Sequence, residues 1–249
     1  MPPEEFASNR TPEELTVAEN LARIFEGSAD PVAARLESFP KYVRRMHLKR
    51  FLALYEIFKL VLPVKGSIVE CGVYRGAGTM SWAKLSAMFE PENYTRRVYG
   101  FDTFEGFPSI NDADAGRSRT PVVGELRSES KTEIEALITE FDRDRTLGHI
   151  PKVELVAGDA TVTIPDFVER NPHLLVSLLF LDFDIYEPTK VAVEHFVPRM
   201  PKGAIIAFDE LDNPLYPGET RALMETLGIG SLELRRLEWD PYIGFARIP

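Results

Sequence analysis

The chain has 249 residues, 44% of them hydrophobic and 27% charged, with 29 Lys and Arg against 39 Asp and Glu for a net charge of −10. That size and composition suit one large globular domain, or one domain with an appendage, and the acidic balance argues against binding to bare nucleic acid or an anionic membrane. Its one cysteine, Cys71, excludes an intrachain disulfide and a cysteine-built zinc site, and no apolar run reaches membrane-spanning length.

The first ten residues, MPPEEFASNR, are acidic and polar, unlike a secretory signal, and a reducing cytoplasm is the expected compartment. Residues 1–12 carry three prolines and no periodicity, so they are expected to be irregular. Thr11-Pro12-Glu13-Glu14 then reads as a helix N-cap, a proline at the first position and an acidic first turn. Helices are expected near 13–26, near 31–38 and over FLALYEIFKLVL (51–62), the last apolar almost all round and therefore buried. Basic residues gather ahead of it at Lys41, Arg44, Arg45, His47, Lys49 and Arg50, either as a solvated helix face or as an anion-contacting surface. Residues 1–62 thus read as an N-terminal helical extension, serving as a lid or for self-association, and 63–249 as the main domain.

From Gly66 the texture alternates. Strands are expected at 67–72, 97–102, 153–158, 174–183 and 203–210, and helices at 78–90, 130–141, 161–170 and 188–200. Such alternation implies an α/β fold with a parallel sheet covered on both faces. The tail offers two more strands, LELRRLEW and YIGFARI, turning at Asp240-Pro241. The segment 105–129 is polar, carries Arg117 and Arg119, and lacks apolar periodicity; a loop that long inside a compact domain is more often functional than idle.

Five strand ends carry acids. In IVECGVYRGAGT (68–79) an apolar strand ends in Glu70, followed by glycines at 72, 76 and 78 and then a helix. The spacing is not G-x-G-x-x-G, so a dinucleotide pyrophosphate cradle is disfavoured, and the acid suits a ligand with a cationic amine. Asp102 ends the second strand, 30 positions after Gly72, where an α/β nucleoside site places the carboxylate for ribose hydroxyls. Asp159 follows the third strand, as a partner for an adenine amine, a helix N-cap, or both. The fourth and fifth strands end in FLDFDIYE (180–187) and AFDELD (207–212). As neighbours about 4.8 Å apart they would bring several carboxylates together. Their repulsion would leave one protonated or be relieved by a hard cation such as Mg²⁺ or Ca²⁺, unless they are solvated loop acids.

The first three motifs, in this order, resemble the class I S-adenosylmethionine-dependent methyltransferases. That resemblance implies a Rossmann-like sheet of seven strands in order 3-2-1-4-5-7-6, closed by the C-terminal hairpin. It also implies that Glu70, Gly72, Tyr74, Arg75, Asp102, Thr103, Asp159, Ala160 and Asp182 line the cofactor. Glu70 and Gly72 would take the methionine end, Asp102 the ribose, and Asp159 with Ala160 the adenine. Within that class, VECGVYRGAGT, GFDTFEGFP, LDFDIYEPT and AFDELD resemble the macrocin-type (TylF-like) O-methyltransferases of antibiotic sugar biosynthesis, which are Mg²⁺-dependent. Carried over residue by residue, Asp182, Asp209 and Glu210 would be metal ligands and Asp184 the general base. The family usually has Asp-Asp where this chain has Asp209-Glu210, so the glutamate's longer arm alters the ligand set. The implied acceptor is a hydroxyl of a deoxysugar, as a TDP-sugar such as TDP-rhamnose. A catechol could chelate the same metal, and an oxidoreductase or a binding-only domain on the same sheet are the remaining alternatives.

Overall fold

A computed structural model describes residues 11–249; the expected irregularity at the extreme N-terminus lies outside the described residues. Contacts divide the chain into two compact units, Met1–Leu52 and Ala53–Pro249. The first unit holds α1 (Pro12–Glu26), α2 (Val32–Glu37) and the start of α3 (Arg45–Val61). Thr11 caps α1 as expected: its hydroxyl accepts the Glu14 N–H at 3.3 Å and the Glu14 carboxylate accepts the Thr11 N–H at 3.0 Å. With Pro12 carrying no N–H, this reciprocal pair satisfies two of the three orphan amides of the first turn.

Helix α3 begins six residues before the expected start, because the basic stretch from Arg45 is good helix former and joins the apolar run. It is not buried all round. Ala53, Leu54, Ile57, Phe58 and Val61 form one stripe at three- and four-residue spacing, whereas Leu52 is 50% exposed.

The second unit continues with β1 (Ser67–Cys71), α4 (Ala77–Phe89), β2 (Val98–Asp102), α5 (Lys131–Asp144), β3 (Val153–Ala157), α6 (Ala160–Arg170), β4 (Val176–Leu181), α7 (Tyr186–Phe196), β5 (Ile205–Phe208), α8 (Gly218–Thr226), β6 (Arg235–Leu237) and β7 (Asp240–Arg247). The seven strands pair in the order β3-β2-β1-β4-β5-β7-β6, parallel except that β7 runs against both β5 and β6. β1, β4 and β5 are buried along their whole length, which is why they read as unbroken apolar runs rather than alternating ones. The closing turn is Glu238–Trp239, not Asp240-Pro241; Asp240 opens β7 and its carboxylate accepts the Ile243 N–H at 3.2 Å. The sequence reading had no helix at α8.

One buried arginine ties together the amino ends of the strands. Arg96, 3% exposed, donates from Nη2 to the carbonyls of Val61 and Val64 at 3.1 and 2.8 Å and from Nη1 to Ser177 Oγ. Its Nε lies 2.7 Å from Glu90 Oε2, a close ion pair without hydrogen-bond alignment. The opposite, carboxyl end of the sheet is left for chemistry, as open α/β sheets require.

Candidate active site at the carboxyl ends of the strands

Between β1 and β4 the strand order reverses, and there the two strand ends touch. Gly72 has φ +98, and a Cβ on it would collide with the carbonyl of Asp182. The Asp182 N–H donates to the Cys71 carbonyl at 2.7 Å, so Asp182 is locked beside Gly72 by backbone contacts. Tyr74, at φ +50, and Arg75 follow in the turn into α4; the guanidinium sits 5.2 Å from the Tyr74 ring centroid. The Tyr74 carbonyl accepts from Ser128 Oγ at 2.8 Å and Ser130 Oγ at 2.6 Å, which fastens the end of the polar 105–129 segment to this turn.

Glu70 is 2% exposed and points under the turn: its carboxylate accepts from Trp82 Nε1 at 3.1 Å and from the Thr79 hydroxyl. Gly78 is what lets α4 pass over it, since a Cβ there would strike Glu70 Oε1. Asp102 is partly exposed at the end of β2. Its Oδ2 accepts the N–H groups of Val73 and Tyr74 at 2.8 and 2.7 Å, and its Oδ1 accepts the Phe104 N–H at 2.6 Å. It therefore binds two turns to each other. The next residue, Thr103, donates its hydroxyl to the Gly106 carbonyl at 2.6 Å. Asp159 caps α6, accepting the Thr161 N–H and hydroxyl at 2.9 and 2.8 Å, with Ala160 buried behind it.

Of the acids after β4 and β5, Asp184 is the one whose carboxyl responds to the charges of Glu210 and Asp209. Asp184 has φ +63, and its carboxyl is pushed well above the ordinary aspartate range by burial and then by the carboxylates of Glu210, Asp209 and Glu125. It keeps some accessible surface, so the neighbouring charges matter alongside desolvation. Glu210 is held by the Asn213 side-chain amide. Asp182, Asp209 and Glu210 are not gathered into a ready cage: among the described residues no three His, Cys, Asp or Glu side chains converge closely enough to hold a metal ion. The chemistry of the donor set nonetheless fits a hard cation, because the group around Asp184 is all carboxylate oxygen and mutually repelling.

Three residues here were not singled out from the sequence. Glu219 is fully buried, its carboxyl raised well above the ordinary range by burial and then by Asp184. An acid in the first turn of a helix reads as a dipole complement, and nothing in PGETRALMET signals burial. Asp114 is 1% exposed and also raised, chiefly by burial. Glu125 accepts from Val122 N–H at 3.1 Å, from Tyr216 Oη at 3.2 Å and from the Arg119 guanidinium. Arg119 is thus committed to Glu125 rather than offered to a ligand, while Arg117 is exposed.

Residues 43–223 match the family model described as Macrocin-O-methyltransferase (TylF). The crystal structure of CalS11, a calicheamicin methyltransferase, is similar at 33% identity; the match covers 96% of this chain and 93% of that one, with a TM-score of 0.90. The apo structure of CalS11, described as a TDP-rhamnose 3'-O-methyltransferase of calicheamicin biosynthesis, matches at 32% identity over 96% of this chain and 95% of that one, with a TM-score of 0.83. A curated Streptomyces olivaceus protein, the 8-demethyl-8-(2,3-dimethoxy-alpha-L-rhamnosyl)-tetracenomycin-C 4'-O-methyltransferase, is 28% identical over 166 residues, or 66% of this chain; the match spans only 60% of that relative's length. The O-methyltransferase NovP, at 19% identity over 78% of each chain and a TM-score of 0.59, shares the fold.

Proposed function

The chain belongs to the macrocin O-methyltransferase (TylF) family, and from that premise we propose that it moves a methyl group from S-adenosylmethionine to a hydroxyl of a deoxysugar in antibiotic biosynthesis. The acceptor we propose is a TDP-sugar such as TDP-rhamnose. The observation that carries this reading is the setting of Asp184: a carboxylate with raised basicity, two residues beyond Asp182, which packs on Gly72 at the switch point of the sheet.

S-adenosylmethionine, when bound, supplies an activated methyl, which leaves the protein two tasks: to align the alcohol and to take its proton. The turn at Gly72, Tyr74 and Arg75, with Asp102, Thr103, Asp159, Ala160 and Asp182 along the neighbouring strand ends, is where the cofactor is read to bind. Glu70, read with Gly72 for the methionine end, also holds that turn from beneath through Thr79 and Trp82. A free aspartate has a pKa of about 3.9 and is a poor base for a sugar hydroxyl. Burial and the like charges of Glu210, Asp209 and Glu125 destabilise the ionised form of Asp184 and so raise its appetite for the proton. A divalent cation, read as Mg²⁺, would be held by Asp182, Asp209 and Glu210 and would make the hydroxyl more acidic.

The test is methyl transfer from labelled S-adenosylmethionine to a panel of TDP-sugars, free glycosides and catechols, each with and without EDTA. TDP-deoxysugars should be methylated, and chelation should abolish turnover. Preference for a catechol would move the acceptor class, and undiminished turnover after exhaustive chelation would remove the metal.

A further inference from the structure

Asp184 is in the left-handed region, at φ +63. Such a conformation is uncommon for a residue with a side chain, and it persists where the surroundings over-determine it. Two amides of its loop are held from outside that loop. The Asp184 N–H donates to Glu219 Oε1 at 3.2 Å, and the Tyr186 N–H donates to Asp114 Oδ1 at 2.6 Å. The two acceptors come from opposite directions in the chain, Glu219 from the first turn of α8 and Asp114 from the 105–129 segment. Their second oxygens are also occupied: Glu219 Oε2 accepts the Glu210 N–H at 3.1 Å, and Asp114 Oδ2 accepts the Asn111 N–H at 2.7 Å.

Both carboxylates are buried, at 0% and 1% exposure, in a place where desolvation alone is unfavourable. Ile185, the residue between the two held amides, provides no side-chain cap for α7, so Asp114 caps that helix from another element. Gly218 makes room for the arrangement. A Cβ there would lie 2.6 Å from Asp114 Oδ1 and 2.5 Å from the Tyr186 nitrogen.

We propose that Asp114 and Glu219 are positioning residues, a two-point clamp that holds Asp184 in its left-handed conformation and aims its carboxylate. Glu219 also fixes the backbone at Glu210, so it registers the loop after β4 against the loop after β5. The inference rests on Asp184 being the base. It assigns the polar 105–129 segment a purpose that does not require it to touch the acceptor.

The experiment compares Asp114→Asn, Glu219→Gln and Asp184→Asn, singly and in pairs. Each amide replaces one accepting oxygen with a donor that faces a backbone N–H. Both clamp variants should lose about 10- to 100-fold in kcat, as small misplacements of a reacting group do, with KM for S-adenosylmethionine unchanged. Amide exchange at Asp184 and Tyr186 should accelerate while protection elsewhere in the sheet stays as it is. In the Asp184→Asn background neither clamp substitution should lower the residual rate further, because both act through the same side chain. Full additivity in the double variants, or unchanged exchange at Asp184 and Tyr186, would overturn the proposal. So would failure of both clamp variants to fold, which would make the pair general supports of the structure. A wild-type protein inert on every acceptor would instead sink the assigned activity, and the exchange rates would still report on the clamp.

Discussion

An aspartate serves as a base for an alcohol only where its charge is disfavoured, and Asp184 lies among carboxylates that disfavour it. Asp184→Asn keeps the size and one acceptor oxygen but cannot take the proton, so kcat should fall by about 10²–10⁴. Calorimetric affinity for S-adenosylmethionine should be unaffected. If cation affinity falls in parallel and excess Mg²⁺ restores turnover, Asp184 is a ligand and the base lies elsewhere. Gly72 makes a second test at the same scale. Its φ of +98 strains any side chain, and a Cβ would enter the Asp182 carbonyl, so Gly72→Ala must separate the ends of β1 and β4. Gly124, at φ +80 with open space around it, is the control that carries backbone strain alone. Gly72→Ala should lower Tm and weaken cofactor binding, whereas Gly124→Ala should lower Tm modestly and leave cofactor binding intact. Equal behaviour of the two would mean that the close approach at Asp182 is unimportant.

Among the elements, periodicity and strand-end chemistry made the sheet legible, while contacts across long sequence separations stayed hidden. β1, β4 and β5 announce themselves as apolar runs because helices cover both faces, and Thr11-Pro12-Glu13-Glu14 states its own helix start. α8 was missed because its buried side is only Ala222 and Leu223 beside Gly218 and Glu219, too sparse a pattern to see. Asp102 shows the same limit at the site. Its position was readable, but the three amides it accepts lie 28 and 29 residues back and two residues ahead, which no spacing rule reveals. Arg96 was equally silent in the sequence, although it joins α3 and the starts of β2 and β4 through Val61, Val64 and Ser177. Removing one member of such a buried charge network leaves carbonyls and Glu90 without their partner. Arg96→Ala should therefore cost about 3–5 kcal/mol in chemical denaturation. A loss confined to a few tenths would show the guanidinium to be replaceable by water.

At the scale of the whole molecule, the site stores unfavourable charge, and pH should read it out. Asp184 and Glu219 have folded values raised from 3.8 and 4.5. Between those ordinary values and the raised ones, the folded protein holds more protons than the unfolded chain, so this cluster's contribution is present at acid pH and is lost as pH rises from about 4. Lys152 has the opposite sign. Burial lowers it from 10.5 to about 8, so the unfolded chain binds more protons in that window and stability recovers as pH climbs from about 8 toward 10.5. A divalent cation that binds the carboxylates competes with protons for them, and it stabilises the folded state by mass action, about 2.7 kcal/mol at a hundredfold excess over its Kd. Mg²⁺ should therefore raise Tm more at alkaline pH than at acid pH, where protons relieve the repulsion between Asp184 and Glu219. In Glu219→Gln one repelling charge is gone, so the cation-free protein should lose less stability as pH rises above the ordinary carboxylate range. In Lys152→Met the same cation response should persist, because that residue sits at the start of β3, away from the acids. A Tm that is indifferent to Mg²⁺ at pH 8, in a protein still active in methyl transfer, would leave Asp184 to work by burial and like charge alone.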